Sequence, residues 1–112
     1  MVDIVDPDSV SGEEPSPGVV ARQLVAGEEM NAQHVRLEPG AEGGDGHSHP
    51  HEQVTFVARG SPTMTIGGED HDLEAGDTVL IPGGTTHSAA NDAEEPAVLV
   101  DVFSPVREDL VD

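Results

Sequence analysis

Three histidines lie close together in the stretch HSHPHEQ, residues 47–53, which ends in an amide side chain. Imidazole nitrogens are ligands for nickel, zinc, iron and copper rather than for magnesium or calcium. His47, His49 and Gln53 are an even number of residues apart, so on an extended chain their side chains face one side. The stretch therefore predicts part of a transition-metal site, with Gln53 at the place where an acidic ligand would be expected.

His87 is the candidate for the remaining ligand, because it follows a Pro-Gly-Gly corner in the second half of the chain. The other histidines have simpler interpretations. His34 is predicted to be structural and His71 to be solvated in a hairpin. His51 and Glu52 are predicted to lie on the rim, and Glu52 would be a ligand only if the strand slipped by one residue, which would turn it to the opposite face.

An amide ligand changes the chemistry that such a site favours. Replacing a carboxylate by Gln53 removes one negative charge, so a divalent ion with three neutral imidazoles keeps its full charge. Such an ion is a stronger Lewis acid and binds an anionic substrate more favourably. The same set of ligands is less suited to an ion in a higher oxidation state. Gln53 therefore favours polarisation of a substrate over oxygen chemistry.

The chain contains short segments in which polar and apolar residues alternate, separated by glycine and proline turns. These segments must position the candidate metal ligands. They predict eight or so strands, including a hairpin about Gly67 and Gly68, and no helix. The expected fold class is all-β, a sandwich or barrel with an interior narrow enough for one small ligand. Residues 1–17 are expected to be an acidic lead-in with a short strand at Val2–Val5, and residues 18–112 a single domain.

The charge of the chain excludes several partners. There are 23 acidic residues against four arginines, and the net charge of -19 repels nucleic acid and anionic membranes. We interpret this excess as adaptation to high salt, where screening shortens the range of self-repulsion. The absence of cysteine excludes disulfides. Without an apolar membrane span or an N-terminal signal pattern, a soluble cytoplasmic protein is expected.

The last strand carries a second chemical signal in the stretch VLVDVFSPVRED. Asp101 interrupts an apolar strand and shares a face with Phe103. If that face is solvated, Asp101 is an ordinary surface acid; if it faces a cavity, burial raises its pKa and suits it to proton transfer. Arg107 follows a turn and offers a planar fork for a substrate carboxylate.

Two segments of the chain together resemble the cupin motifs. The first has the pattern His47-x-His49-x3-Gln53-x6-Gly60, and the second Gly76-x5-Pro82-x-Gly84-x2-His87-x3-Asn91. The resemblance covers about residues 18–105 and implies a double-stranded β-helix, the cupin jelly-roll barrel. It also implies a divalent transition metal, either Ni, Zn, Fe or Mn. The implied metal ligands are His47, His49, Gln53 and His87.

With the C-terminal stretch added, the chain is similar to the KdgF-type pectin-degradation cupins. That resemblance implies conversion of 4,5-unsaturated monouronates, released by pectin or alginate lysis, into linear ketonised uronates. The implied catalytic residues are Asp101, Arg107 and Phe103. A further glutamine of the family has no clear counterpart here, and Thr55 lies near its place.

Two other functions stay open from the sequence. One is a different metal-dependent cupin enzyme, such as a dioxygenase, lyase or epimerase. The other is a non-catalytic cupin that binds a small sugar or acid. In each case the expected partner is a small molecule rather than nucleic acid or membrane, and apolar residues on both faces of the last strand favour a homodimer.

Overall fold

A computed structural model describes residues 2–110 of the chain as nine β-strands and a single 3₁₀ turn at Pro7–Ser9. The strands are β1 (Glu13–Ser16), β2 (Val19–Ala26), β3 (Asn31–Leu37), β4 (Glu52–Arg59), β5 (Thr63–Ile66), β6 (Glu69–Asp72), β7 (Thr78–Ile81), β8 (His87–Ala90) and β9 (Ala97–Ser104). The all-β fold class expected from the alternating pattern is confirmed.

The strands form two antiparallel sheets. A six-stranded sheet has the order β1-β2-β3-β9-β4-β7, and a three-stranded sheet has the order β6-β5-β8. The last strand therefore lies in the middle of the larger sheet, between β3 and β4, although it is far from both in sequence. Residues on β9 consequently have neighbours from both halves of the chain.

Period-two alternation gives the larger sheet one face toward the core. On β9, every second residue from Ala97 to Phe103 is buried, and β4 alternates in the same way. The apolar core clusters at one end of this inner face, while polar side chains occupy the other end. The buried apolar cluster consists of Val35, Leu37, Ala41, Val57, Ala97 and Leu99.

Two details near the N-terminus differ from the sequence expectation. The predicted strand at Val2–Val5 is wrong, because those residues pair with no strand. A strand does form at Glu13–Ser16, within the expected lead-in, and pairs with β2 at the edge of the larger sheet. Its Glu-Glu-Pro-Ser sequence lacks apolar alternation, and Pro15 is compatible only with an edge or an irregular position.

The hairpin expected about Gly67 and Gly68 is present between β5 and β6. Both glycines have positive φ, at 58° and 86°, the conformation that a two-residue hairpin turn demands.

Among residues 2–110, the structure contains no helix with the length and hydropathy of a membrane span.

Gly60, at the end of β4, combines two requirements for glycine. Its φ is +84°, and an added Cβ would lie 2.8 Å from the Cα of Ala97 on the neighbouring strand. Gly68 has almost the same φ, +86°, but nothing lies within 4 Å of an added Cβ. Comparing substitutions at Gly60 and Gly68 therefore distinguishes the conformational cost of positive φ from the cost of a steric clash.

We expect Gly60→Ala to destabilise the protein more than Gly68→Ala. Both changes carry the cost of positive φ, about 1–2 kcal/mol. Gly60→Ala adds an overpacking cost of about 1–3 kcal/mol, because backbone cannot move aside as a side chain can. Urea unfolding of both variants at one salt concentration measures the difference, and equal losses would contradict the clash.

Candidate metal site and the cavity beneath it

The two histidine segments are joined through their backbones where the two sheets meet. His47 and His87 form an isolated antiparallel bridge, with N–H to O distances of 3.0 and 2.9 Å in the two directions. Gly84 N–H donates to the carbonyl oxygen of His49 at 2.8 Å. A Cβ on Gly83 would lie 2.3 Å from the carbonyl oxygen of Pro50, so only glycine allows this approach. These backbone bonds fix the two histidine-bearing loops relative to each other.

Backbone carbonyls orient two of the imidazole rings. His49 Nδ1 donates to the carbonyl oxygen of His51 at 3.0 Å, and His87 Nδ1 donates to that of Thr85 at 2.9 Å. A neutral ring that donates from Nδ1 carries its lone pair on Nε2. One ligand atom from each of His47, His49 and His87 lies within 4.8 Å of the other two. The structure therefore brings together the three predicted histidines.

The donor atoms fit a cation. His49 Nε2 lies 3.0 Å from Gln53 Oε1, yet a neutral ring that already donates from Nδ1 has no second proton for that oxygen. Two atoms that each lie about 2.1 Å from one metal ion would be brought to a separation of this order. His87 Nε2 is buried and has no hydrogen-bond partner among residues 2–110. Nitrogen and oxygen lone pairs thus lie close together with no proton between them, and a divalent ion would satisfy this arrangement.

Burial keeps the histidines ready to bind a cation. It lowers the pKa of His47 below the ordinary value of 6.5, and the nearby His87 and His49 lower it further. Burial also lowers the pKa of His49. Both rings are therefore neutral at pH 7, as metal ligation requires.

The amide of Gln53 connects this site to Asp101. Gln53 Nε2 donates to Thr55 Oγ1 at 2.8 Å, and the Thr55 hydroxyl donates to Asp101 Oδ1 at 2.7 Å. On the other side, Gln33 Nε2 donates to Asp101 Oδ2 at 2.9 Å, and Gln23 Nε2 donates to Gln33 Oε1 at 3.0 Å. The carboxylate thus accepts from two chains of hydrogen bonds.

Asp101 lies on the inner face of β9 rather than on the solvent face, and it is only 5% exposed. Its burial raises the pKa of the carboxyl group, while the hydrogen bonds from Thr55 and Gln33 oppose that shift. A raised pKa makes a carboxyl group a better proton acceptor than an ordinary surface acid, which suits it to proton transfer. The cavity-facing interpretation of the acid in VLVDVF thus has a structural basis.

A cavity of about 490 Å³ opens beside these groups. This volume falls in the range of about 300–1,000 Å³ that is usual for small-molecule sites. His47, Gln53, His87, Asp101 and Arg107 are among the side chains that line it. The edge strand β1 and the inner faces of β2 and β3, in the same sheet as Asp101 and Gln53, also line it.

Phe103 and Arg107 occupy different positions relative to the cavity. Phe103 is only 1% exposed, and its ring makes an edge contact with His49 at a centroid distance of 5.5 Å. The Arg107 guanidinium lies 5.0 Å from the centre of the Phe103 ring. Phe103 therefore packs behind the site, between a histidine and the arginine, and is not among the residues that line the cavity.

Arg107 is held from both its backbone and its side chain. Its N–H donates to Asn31 Oδ1 at 2.7 Å, which fixes the segment after β9 to the start of β3. Its Nε and Nη2 donate to the carboxylate of Asp109. That ion pair lowers the pKa of Asp109 and takes up one edge of the guanidinium, so an anionic ligand would bind the remaining N–H groups.

The remaining histidines lie outside the cluster. His71 is exposed on β6, with Nε2 4.0 Å from a Glu69 oxygen. His34 is half-buried on the outer face of β3, where burial and Arg22 lower its pKa. His51 is half-buried at the rim, and its carbonyl group accepts from His49.

Gln23 and Gln33 are functional candidates that the sequence analysis did not single out. Gln33 is in register with Asp101, and Gln23 is in register with Gln33. A signal was present, since each glutamine occupies a core-facing position of its strand, in phase with Val35 on β3 and Ala21 on β2. A polar residue at such a position is the same signal that identified Asp101.

Comparison with known proteins places the chain in a family. The cupin domain model matches residues 33–103. The chain is 31% identical over 105 residues to the pectin degradation protein KdgF of Dickeya dadantii, covering 93% of this chain and 94% of that protein.

Solved structures agree with this placement. KdgF from Halomonas sp. superposes with a TM-score of 0.85 at 26% identity, covering 99% of each chain. An RmlC-like cupin from Shewanella frigidimarina superposes with a TM-score of 0.84 at 30% identity, covering 99% of this chain and 97% of the other. The cupin jelly roll implied by the two motifs is confirmed as the fold.

We expect Zn²⁺ affinity to resist mild acidification. Because burial lowers the pKa of both His47 and His49, protons on these rings begin to compete with a metal only below the ordinary histidine pKa of 6.5. Competition with a chromophoric chelator between pH 5 and 8 would measure this. The competition due to these rings should appear only at the acidic end, and His47→Ala should lower the affinity at every pH. Wild-type affinity that fell steeply between pH 8 and 7 would contradict the expected ligand chemistry.

Proposed function

This chain belongs to the cupin family, and we propose that it converts 4,5-unsaturated monouronates from pectin or alginate lysis to linear ketonised uronates. Full-length similarity to the pectin degradation protein KdgF carries this proposal. The cavity supports it, because a buried carboxyl group, an arginine and two of the three clustered histidines line one space. The enzyme acts on a small anionic sugar, for which this combination of groups is suited.

The proposed reaction is an isomerisation, so it needs proton movement but neither oxidant nor reductant. Opening of the cyclic hemiacetal gives an aldehyde and an enol at the former ring oxygen. The enol then becomes a ketone as its hydroxyl loses a proton and the adjacent alkene carbon gains one. Asp101 is the proposed acid–base group for this transfer, since it lines the cavity and burial raises its pKa.

The proposed metal ligands are His47, His49, Gln53 and His87, and the identity of the divalent metal is left open. A divalent ion held by these residues supplies Lewis-acid polarisation of substrate oxygens. Because Gln53 contributes an amide instead of a carboxylate, the ligand set carries no negative charge. That neutrality favours binding of a substrate that is itself an anion.

Arg107 is the proposed partner of the substrate carboxylate through the N–H groups that Asp109 does not occupy. The role we propose for Phe103 follows from its burial. Its ring supports His49 on one side and the Arg107 guanidinium on the other. It thus lies between a proposed metal ligand and the group proposed to bind the substrate carboxylate.

We expect Asp101→Asn to lower the rate of ketonisation by about 10²–10⁴-fold, the usual contribution of one acid–base group. Loss of the ultraviolet absorbance of the conjugated alkene would be followed at molar KCl. Lyase-derived unsaturated galacturonate and the alginate-derived uronate would be the substrates, with a protein-free sample for spontaneous opening.

Asp72→Asn is the matched control for this measurement. Asp72 also accepts a hydrogen bond from a threonine, Thr63, but lies exposed on β6. It should keep the full rate. A folded Asp101→Asn protein with wild-type rate would remove Asp101 from the mechanism, and a wild-type protein inactive on both uronates would overturn the proposed function.

The excess of 23 acidic residues over four arginines supports a second part of the proposal, activity at high salt. At molar ionic strength the Debye length falls to about 3 Å, which screens the repulsion between surface carboxylates. The cytoplasmic location expected from the sequence stays a prediction.

We also propose that the chain forms a homodimer through the outer face of the larger sheet. Val54, Phe56 and Leu80 on that face are 42%, 42% and 59% exposed. Val54 lies between Leu80 and Val102 in the register, so these side chains are neighbours on one face, with Glu52 at its edge. In so acidic a chain, two copies of such a surface can approach where acid-bearing faces repel.

Phe56→Glu should convert the dimer to a monomer, since the change places two buried carboxylates at the interface. Met30→Glu is the control, because Met30 is 54% exposed in the turn between β2 and β3 and should leave the dimer intact. Light scattering coupled to gel filtration distinguishes a mass of 11.6 kDa from twice that value. A wild-type protein that elutes as a monomer would rule out this interface.

A further inference from the structure

An amide side chain can face its neighbours in two ways, and only one of them suits Gln53 as a metal ligand. Its oxygen has lone pairs for a cation, whereas its NH₂ group can only donate hydrogen bonds. Rotation of the amide by half a turn would replace the oxygen 3.0 Å from His49 Nε2 with nitrogen. Something in the structure must therefore select the orientation.

The register of the larger sheet supplies a row of polar side chains that can do this. Gln23, Gln33, Asp101 and Thr55 are successive partners across β2, β3, β9 and β4. All of them lie on the inner face, and Thr55 is fully buried. Gln53 precedes Thr55 by two residues on β4, so both side chains are on the same face.

The hydrogen bonds of this row have one consistent direction. The Asp101 carboxylate has only acceptor oxygens, so Thr55 directs its single hydroxyl proton to Oδ1. The Thr55 oxygen is then available as an acceptor, and the amide NH₂ of Gln53 donates to it at 2.8 Å. With its nitrogen engaged there, the Gln53 oxygen is turned toward His49.

We propose that the Thr55 hydroxyl is a positioning group that holds the Gln53 amide with its oxygen toward His47, His49 and His87. The inference rests on the proposed metal site and extends it to a residue that does not touch the metal. Thr55 acts by linking a ligand to an acceptor on the neighbouring strand. It thereby gives Asp101 a share in the affinity of the site.

The same network accounts for an amide in place of an acid at position 53. A glutamate there would place one carboxylate on each side of Thr55, at 2.8 and 2.7 Å. One hydroxyl has one proton and can donate to only one of them. The other carboxylate would be left buried without that hydrogen bond, which costs free energy. Glutamine avoids the conflict because it donates with one end and offers a lone pair with the other.

The test compares Thr55→Val, which keeps the shape and removes the hydroxyl, with Thr55→Ser, which keeps the hydroxyl. Zn²⁺ affinity would be measured by competition with a chromophoric chelator, and the Co²⁺ form would report ligand geometry through its visible spectrum. Thr63→Val is the matched control, since the Thr63 hydroxyl donates to Asp72 at 2.9 Å on the other sheet.

We expect Thr55→Val to bind Zn²⁺ about 10–100-fold more weakly, the usual effect of losing a group that orients a ligand. Its Co²⁺ spectrum should differ from that of the wild type. Thr55→Ser and Thr63→Val should match the wild type in both measurements. Unchanged affinity in folded Thr55→Val would overturn the proposal, as would an equal loss in Thr55→Ser, which would indicate packing rather than hydrogen bonding.

Zn²⁺ binding is measured without substrate, so its outcome is separate from that of the uronate assay. A wild-type protein that binds Zn²⁺ but does not ketonise uronates would overturn the proposed function and leave the Thr55 comparison informative. A wild-type protein that does not bind Zn²⁺ would overturn both the metal site and the role of Thr55.

Discussion

Burial of the Asp101 carboxylate is the constraint on which the rest of the site depends. A carboxylate removed from water must receive hydrogen bonds from the protein, because an unpaired buried charge costs many kcal/mol. Thr55 and Gln33 provide them from the two strands that flank β9. Both donors are adjacent to Asp101 only when β3, β9 and β4 are in their observed register. A slip of one residue would turn the carboxylate to the outer face, so the sheet and the site are specified together.

The same register also positions the groups around the cavity mouth. Phe103 is the next inner-face residue after Asp101 on β9, and in the strand register it lies between Asn31 and Gln53. Asn31 fixes the backbone of Arg107, and Phe103 contacts both His49 and Arg107. The outer face of these strands instead carries the apolar residues of the proposed dimer interface. Strand alternation thus places the polar cavity and the proposed association surface on opposite faces of one sheet.

Much of this arrangement could be predicted from the sequence, because the decisive signals were local. Spacing identified His47, His49 and Gln53, and an acid within an apolar strand identified Asp101. Gln33 was not singled out, because its importance lies in a hydrogen bond to a residue 68 positions away. Alternation along one strand was the expected reason for His47 and His49 to face the same centre, and the structure shows a different one. They lie in a bridge and a loop rather than on a regular strand, and their backbone bonds to the second histidine segment fix them.

The edge strand β1 makes the size of the binding space adjustable independently of the chemistry. Among the described strands it pairs with β2 alone, and its residues Glu13, Pro15 and Ser16 form part of the cavity wall. Side chains there can become larger or smaller while the strands that carry Asp101 and Gln53 keep their pairing. Related chains could therefore diverge in the sugars they admit through changes in these three residues at the sheet edge. For protein engineering, this strand offers a way to change the shape of the cavity without changing the pairing of the strands that carry Asp101 and Gln53.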